Sequence, residues 1–128
     1  MEIDEITGIV IDEAIAIHRE LGPGLFENVY ETVLAGRIAA RGLKVARQLA
    51  VPIKFDGHLF DPAFRLDILI EDRLVIEVKA VERLSQTHIR QLLTYLRLLK
   101  QPVGLLLNFN HSTMKDGIRR VANEYNSR

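Results

Sequence analysis

Cysteine is absent from the 128-residue sequence, which excludes disulfides, thiolate metal sites and cysteine nucleophiles together. An excess of either charge is also absent: 17 basic residues face 17 acidic ones, for a formal net charge of +0. Domains that hold nucleic acid by bulk electrostatics are strongly basic. Contact with DNA or RNA here therefore requires a local patch, or a metal that offsets acidic side chains. No apolar run approaches the roughly 20 residues of a membrane span, and the opening Met1-Glu2-Ile3-Asp4 is too acidic for a signal peptide. Repeats, linkers and low-complexity tracts are missing as well. What the chain does have is apolar content, 48% of its residues, and a chain this long buries roughly two thirds of its surface on folding. The expectation is one domain over residues 1–128, cytoplasmic and without a membrane partner.

The apolar residues are ordered in two periods. Ile3, Ile6, Val10, Ala14, Ile17 and Leu21 recur at three- and four-residue steps, which predicts one face of a helix. Gly22-Pro23-Gly24 ends it, because Gly suits a left-handed cap and Pro cannot continue the turn. A second helix is expected over residues 27–41, with Tyr30, Val33, Leu34 and Ile38 inward. Leu49, Val51, Ile53 and Phe55 then alternate as in a strand, and Pro52 puts that strand at a sheet edge. Asp56-Gly57 predicts a hairpin into His58-Leu59-Phe60. Strands at 64–70 and 74–80 follow, then a helix capped by Ser85 and running to about residue 100. An apolar, central strand at 103–109 and a last helix at 115–125 complete the order. The predicted fold class is α/β, a mixed β-sheet flanked by helices in the order ααβββ(β)αβα.

Three charged residues interrupt the apolar strands. Glu77 and Lys79 are two apart, so their side chains leave the same face of one strand, and Asp67 breaks the strand before it. Such charges are costly inside a fold unless paired or bound to metal. Register decides whether they converge. A two-residue turn sets Asp67 opposite Ile76, on the wrong face, whereas a three-residue connection through Glu71, Asp72 and Arg73 sets it opposite Glu77. In the second register two carboxylates and an ammonium meet, a set suited to Mg²⁺ or Mn²⁺. The competing reading is an edge strand with one solvated face.

Asp67, nine residues and then Glu77-Val78-Lys79 resemble the PD-(D/E)xK nuclease motif on its strand hairpin. Gly24-Leu25-Phe26-Glu27-Asn28-Val29-Tyr30 resembles the signature of the GxxExxY branch of that superfamily. The preceding His18-Arg19-Glu20-Leu21-Gly22-Pro23 and the later Leu107-Asn108-Phe109-Asn110 fit the same branch. The likeness runs from residue 3 to about residue 123. It implies a restriction-endonuclease-like fold and Mg²⁺- or Mn²⁺-dependent hydrolysis of phosphodiester bonds, with DNA or RNA as partner.

The resemblance also implies roles. Glu27 matches the helical acidic residue that assists the metal. Asp67 and Glu77 match the main metal ligands, joined by the Val78 carbonyl, and Lys79 matches the catalytic lysine. Gln91-Leu92-Leu93-Thr94-Tyr95 is similar to the QxxxY motif of exonuclease-like members, whose Gln and Tyr line the site. Gln91 and Tyr95 are four apart and share a helix face with His88. One departure is Leu66, which stands where the motif's name has Pro.

Plainer roles compete for several of these residues. Glu27 also suits a helix N-terminus through the macrodipole. Tyr30 reads first as a core aromatic, and His88 as a first-turn polar residue outside the site. Arg83, Arg90, Arg97 and Lys100 read first as a solvated helix face. The alternative to a nuclease is a non-catalytic homo-oligomeric assembly or binding module on the same fold, which the zero net charge and small size favour. A homo-oligomer is compatible with both.

Overall fold

The three- and four-residue spacing that begins at Ile3 folds as helix α1 (Ile3–Leu21), with Ile6, Val10, Ala14 and Ile17 wholly buried. In the computed structural model, which describes residues 1–123, it is followed by α2 (Glu27–Ala40), β1 (Val45–Phe55), β2 (His58–Ile70) and β3 (Leu74–Lys79). Then come α3 (Gln86–Leu99), β4 (Val103–Asn108), a single 3-10 turn (Lys115–Gly117) and β5 (Ile118–Ala122). The five strands form one sheet in the order β1-β2-β3-β4-β5. Every pairing is antiparallel except β3 with β4, which α3 connects as a crossover.

Alternation along the strands divides the interior into two layers. Ile68, Ile70, Ile76 and Val78 pack with α1 and α2, whereas Leu69, Val75 and Leu106 pack with Leu92 and Leu96 of α3. All six residues of β4 are buried, as expected for the central apolar strand. Pro52 lies on β1, an edge strand that pairs only with β2, and the β1–β2 register shifts between Val51 and Ile53 beside it. The two short strands expected at 58–60 and 64–70 are one continuous strand, β2. The predicted mixed sheet flanked by helices is present.

The last helix, predicted over 115–125, is not. Residues 115–122 form the 3-10 turn and β5, and residues 124 and 125 lie outside the described residues. Ile118 and Val121 are spaced as on a helix, but the apolar strand β4 would otherwise present a bare hydrogen-bonding edge. β5 closes that edge from Val103↔Ala122 to Leu107↔Ile118, so tertiary pairing overrides the local period. Gly117 permits the turn: a Cβ there would lie 2.0 Å from the Asn108 carbonyl oxygen.

The β2–β3 connection takes the three-residue form. Arg73 N–H donates to the Ile70 carbonyl at 2.9 Å, and Ile70 pairs with Leu74, Leu69 with Val75 and Ile68 with Ile76. Continued by one pair, this register sets Asp67 opposite Glu77. No helix among the described residues is long and apolar enough to cross a membrane.

Candidate active site

Asp67 sits where two ladders break. The β2–β3 pairing stops at Ile68↔Ile76. The β1–β2 pairing passes from Arg47↔Ile68 to Leu49↔Leu66, skipping Gln48, which takes a φ of 48°. Buried backbone donors need partners, and here carboxylates supply them. Asp67 N–H donates to Glu77 Oε2 at 2.9 Å, and Val78 N–H donates to Asp67 Oδ2 at 2.8 Å. The two acidic side chains thus bridge the fork where β2 and β3 separate, which fixes both of them.

Their electrostatics are unfavourable. Glu77 is only 4% exposed, and its carboxyl is pushed up to about 8, first by burial and next by the charge of Asp67. Burial likewise raises Asp67, with Glu31 and Glu27 adding to it and the Val78 N–H and Lys79 opposing. None of the ion pairs among the described residues involves Asp67, Glu77 or Lys79. Lys79 lies two residues beyond Glu77 on the same side of β3, half-buried, and its charge is felt by both carboxylates.

A buried carboxylate, Glu77, and a half-buried one, Asp67, with no paired cation among the described residues fit a hard divalent ion. Among the described residues no group of three His, Cys, Asp or Glu side chains forms a ready-made metal cluster. Asp67 and Glu77 are the two carboxylates at the fork that could hold such an ion, and a Mg²⁺ ion commonly uses only one or two carboxylates and keeps its remaining positions for water or phosphate.

Helix α2 brings two further acids. Glu27 Oε1 accepts from Ala80 N–H at 3.3 Å, so the first turn of α2 stands over the end of β3. Glu31, one turn later and 5% exposed, accepts from Arg47 at 2.8 and 3.2 Å and from Gln48 Nε2 at 2.9 and 3.2 Å. Gln48 Nε2 also lies 3.5 Å from Asp67 Oδ1, which links the Glu31 cluster to the fork. A cleft of about 510 Å³ opens here, lined among others by Phe26, Glu27, Glu31, Gln48 and Asp67. Glu31, Arg47 and Gln48 were not among the residues expected from sequence. The available signal was Glu31 at four residues after Glu27, hence on the same helix face.

The loop ahead of Glu27 is tied down by Tyr30. Its ring is buried and stacks on Phe109, centroids 4.5 Å apart and planes at 9°. Its hydroxyl donates to the Gly22 carbonyl at 2.7 Å and accepts from Leu25 N–H at 3.0 Å. Gly24, between them, has a φ of +102°, which side chains other than glycine rarely adopt. In Gly24, Glu27 and Tyr30, one residue permits the bend, one reaches the site and one holds the bend. Tyr30→Phe is expected to lose about 1–2 kcal/mol in chemical denaturation, since Leu25 N–H and the Gly22 carbonyl lose a partner. Amide exchange at Leu25 should accelerate with it.

On α3, Tyr95 stacks on Phe64 at 4.2 Å and 6°. Its hydroxyl is raised by burial and then by the charges of Glu77 and Asp67, so the phenol lies within their field. Gln91 is exposed, and among the described residues it makes no hydrogen bond to Glu27, Asp67, Glu77 or Lys79. The fork thus joins Asp67, Glu77 and Val78 directly, with Glu27, Lys79 and Tyr95 around it and Gln91 apart. His88 belongs to the helix cap: its Nδ1 accepts from Ser85 N–H at 3.0 Å, and its own N–H donates to Ser85 Oγ at 3.3 Å. Asn108, buried at the end of β4, bonds both the N–H and the carbonyl of Val81, at 3.1 and 2.8 Å, and so fixes the chain just beyond Lys79.

Against known proteins, residues 4–121 match a family model described as the PD-(D/E)XK nuclease superfamily. No curated protein and no solved structure matches the chain.

Proposed function

The chain belongs to the PD-(D/E)XK nuclease superfamily, and from that membership we propose that it is a metal-dependent nuclease of the GxxExxY branch, hydrolysing phosphodiester bonds in DNA or RNA. The observation that carries the proposal is the crossing of Asp67 and Glu77 at the fork, where Glu77 accepts from Asp67 N–H at 2.9 Å and Asp67 accepts from Val78 N–H at 2.8 Å, with Lys79 on the same strand face as Glu77. A Mg²⁺ or Mn²⁺ ion held by Asp67, Glu77 and the Val78 carbonyl would lower the pKa of a bound water and offset charge growing on a phosphoryl oxygen.

The remaining roles fall to the chain's own groups. Lys79 orients the attacking water and stabilises negative charge on the phosphate as it develops. Glu27 assists at the rim, held by Ala80 N–H. Gln48, between Glu31 and Asp67, keeps the Asp67 carboxylate from rotating. Tyr95, within the field of the two carboxylates, takes the α3 side of the site, and Gln91, exposed one turn before it, would reach the site only through bound substrate. The test is a cleavage panel of plasmid, linear duplex, single-stranded DNA and RNA, run with Mg²⁺, with Mn²⁺ and with chelator. Cutting of at least one substrate that chelator abolishes is expected; inertness toward all four with either metal would contradict the proposal.

A second reading has one observation in its favour. Phe55, Leu59 and Phe60 are all exposed at the β1–β2 hairpin tip, an apolar patch suited to a second copy of the chain. A homo-oligomeric assembly or binding module on this fold predicts a large particle in light scattering and no cleavage.

A further inference from the structure

Phe26 is the most exposed large apolar side chain among the described residues, at 87%. It stands immediately before α2 and lines the cleft that also holds Glu27, Gln48 and Asp67. Its backbone is fixed on both sides: its carbonyl accepts from Val29 N–H at 3.0 Å, and Leu25 N–H donates to the buried Tyr30 hydroxyl. Leu25 and Val29, both exposed, extend the apolar surface around it. An exposed aromatic ring on a fixed stretch of backbone is thus presented at the mouth of an acidic site.

The charge of that site limits how a polyanion can be held. Glu27, Glu31 and Asp67 line the cleft, and the chain as a whole carries a net charge of +0. Glu31 is paired with Arg47 at 2.8 Å, but Glu27 and Asp67 have no such cation among the described residues. The cleft wall therefore opposes a polyanion away from the metal, and a contact indifferent to charge adds grip there. Stacking of a base on an aromatic ring is such a contact. In a continuous duplex both faces of every base are already covered, so only an unpaired or extruded base has a face to offer. We propose that Phe26 is a stacking platform for an unpaired base beside the scissile phosphate, so that this cleft takes single strands or frayed ends in preference to continuous duplex. The proposal rests on the nuclease reading and specifies its substrate class.

The test is fluorescence titration of a single-stranded oligonucleotide carrying 2-aminopurine, with Ca²⁺ as a hard stand-in cation, against a blunt duplex carrying the same base internally. Wild type is expected to bind the single strand and quench the probe. Phe26→Ala should bind it about tenfold or more weakly, without quenching, and Phe26→Trp should restore both. Affinity should fall by less than about tenfold between roughly 50 and 200 mM salt, a shallower loss than a protein with many phosphate contacts shows. Because the side chain is exposed, the melting temperature should not change. Single-strand binding by Phe26→Ala equal to wild type, or an equal loss for the duplex, would overturn the proposal. If wild type cleaves in the metal-dependent panel while Phe26→Ala binds normally, the stacking assignment fails alone. If the protein neither binds nor cuts any nucleic acid, the nuclease reading fails with it.

Discussion

Lys79→Ala is expected to lower metal-dependent cleavage by about 10²–10³-fold, the scale of removing one group that stabilises developing negative charge in a closed site. The fold should tolerate the change. Lys79 is half-buried at the end of β3, and none of the ion pairs among the described residues includes it. Its charge lowers the carboxyls of Asp67 and Glu77 but repels a divalent ion more strongly than a proton, so the variant should bind metal at least as tightly as wild type. Rate measured at saturating Mn²⁺ separates the two effects. A rate within threefold of wild type under that condition would remove Lys79 from the chemistry. Lys79→Arg is expected to rescue poorly, because a planar guanidinium cannot occupy the position of a compact ammonium.

Glu77→Gln is expected to stabilise the metal-free protein while abolishing cleavage. Burial, then the neighbouring charge of Asp67, pushes the Glu77 carboxyl up to about 8 from an ordinary 4.5. An acid whose pKa rises on folding contributes its stability in the protonated form. That contribution is complete below about pH 4.5 and is lost as the pH rises from there toward about 8. Gln resembles the protonated acid and keeps a carbonyl oxygen to accept from Asp67 N–H, so it escapes the loss. At pH 7 the variant should be more stable by roughly 2 kcal/mol, since one pKa unit corresponds to about 1.4 kcal/mol and local relaxation absorbs part of the shift. The difference should shrink toward zero near pH 4.5, and Mg²⁺ should raise the melting temperature of wild type more than that of the variant. A Glu77→Gln protein less stable than wild type at pH 7 would show that the carboxylate is instead well compensated in the fold.

Much of this arrangement is legible in the sequence, and the reasons are local. The spacing of Ile3 to Leu21 specifies α1, the run at 103–109 specifies a buried strand, and Pro52 marks the edge strand. The Asp67–Glu77 juxtaposition follows from a three-residue turn, and one residue fewer would put the two side chains on opposite faces. Sequence spacing could state that alternative but not choose it; the pairing of Ile70 with Leu74 does. The final strand was hidden because Ile118 and Val121 satisfy a helical period, and only the open edge of β4 explains why they pair as β5. Glu31, Arg47 and Gln48 were hidden for a related reason. Their cluster joins α2 to β1 across 15 to 17 residues of chain, and no local pattern announces such a contact. Asn108 was visible as part of Leu107-Asn108-Phe109-Asn110, but its hold on Val81 appears only when β4 lies beside β3.

The central claim is that Asp67 and Glu77 form a divalent-cation site, and calorimetric titration of Mn²⁺ into the protein tests it most directly. Wild type should bind one ion, Lys79→Ala should bind one ion at least as tightly, and Asp67→Asn should bind none in the same range. Absence of binding to wild type, or binding that Asp67→Asn leaves unchanged, would contradict the account whatever the cleavage panel returns.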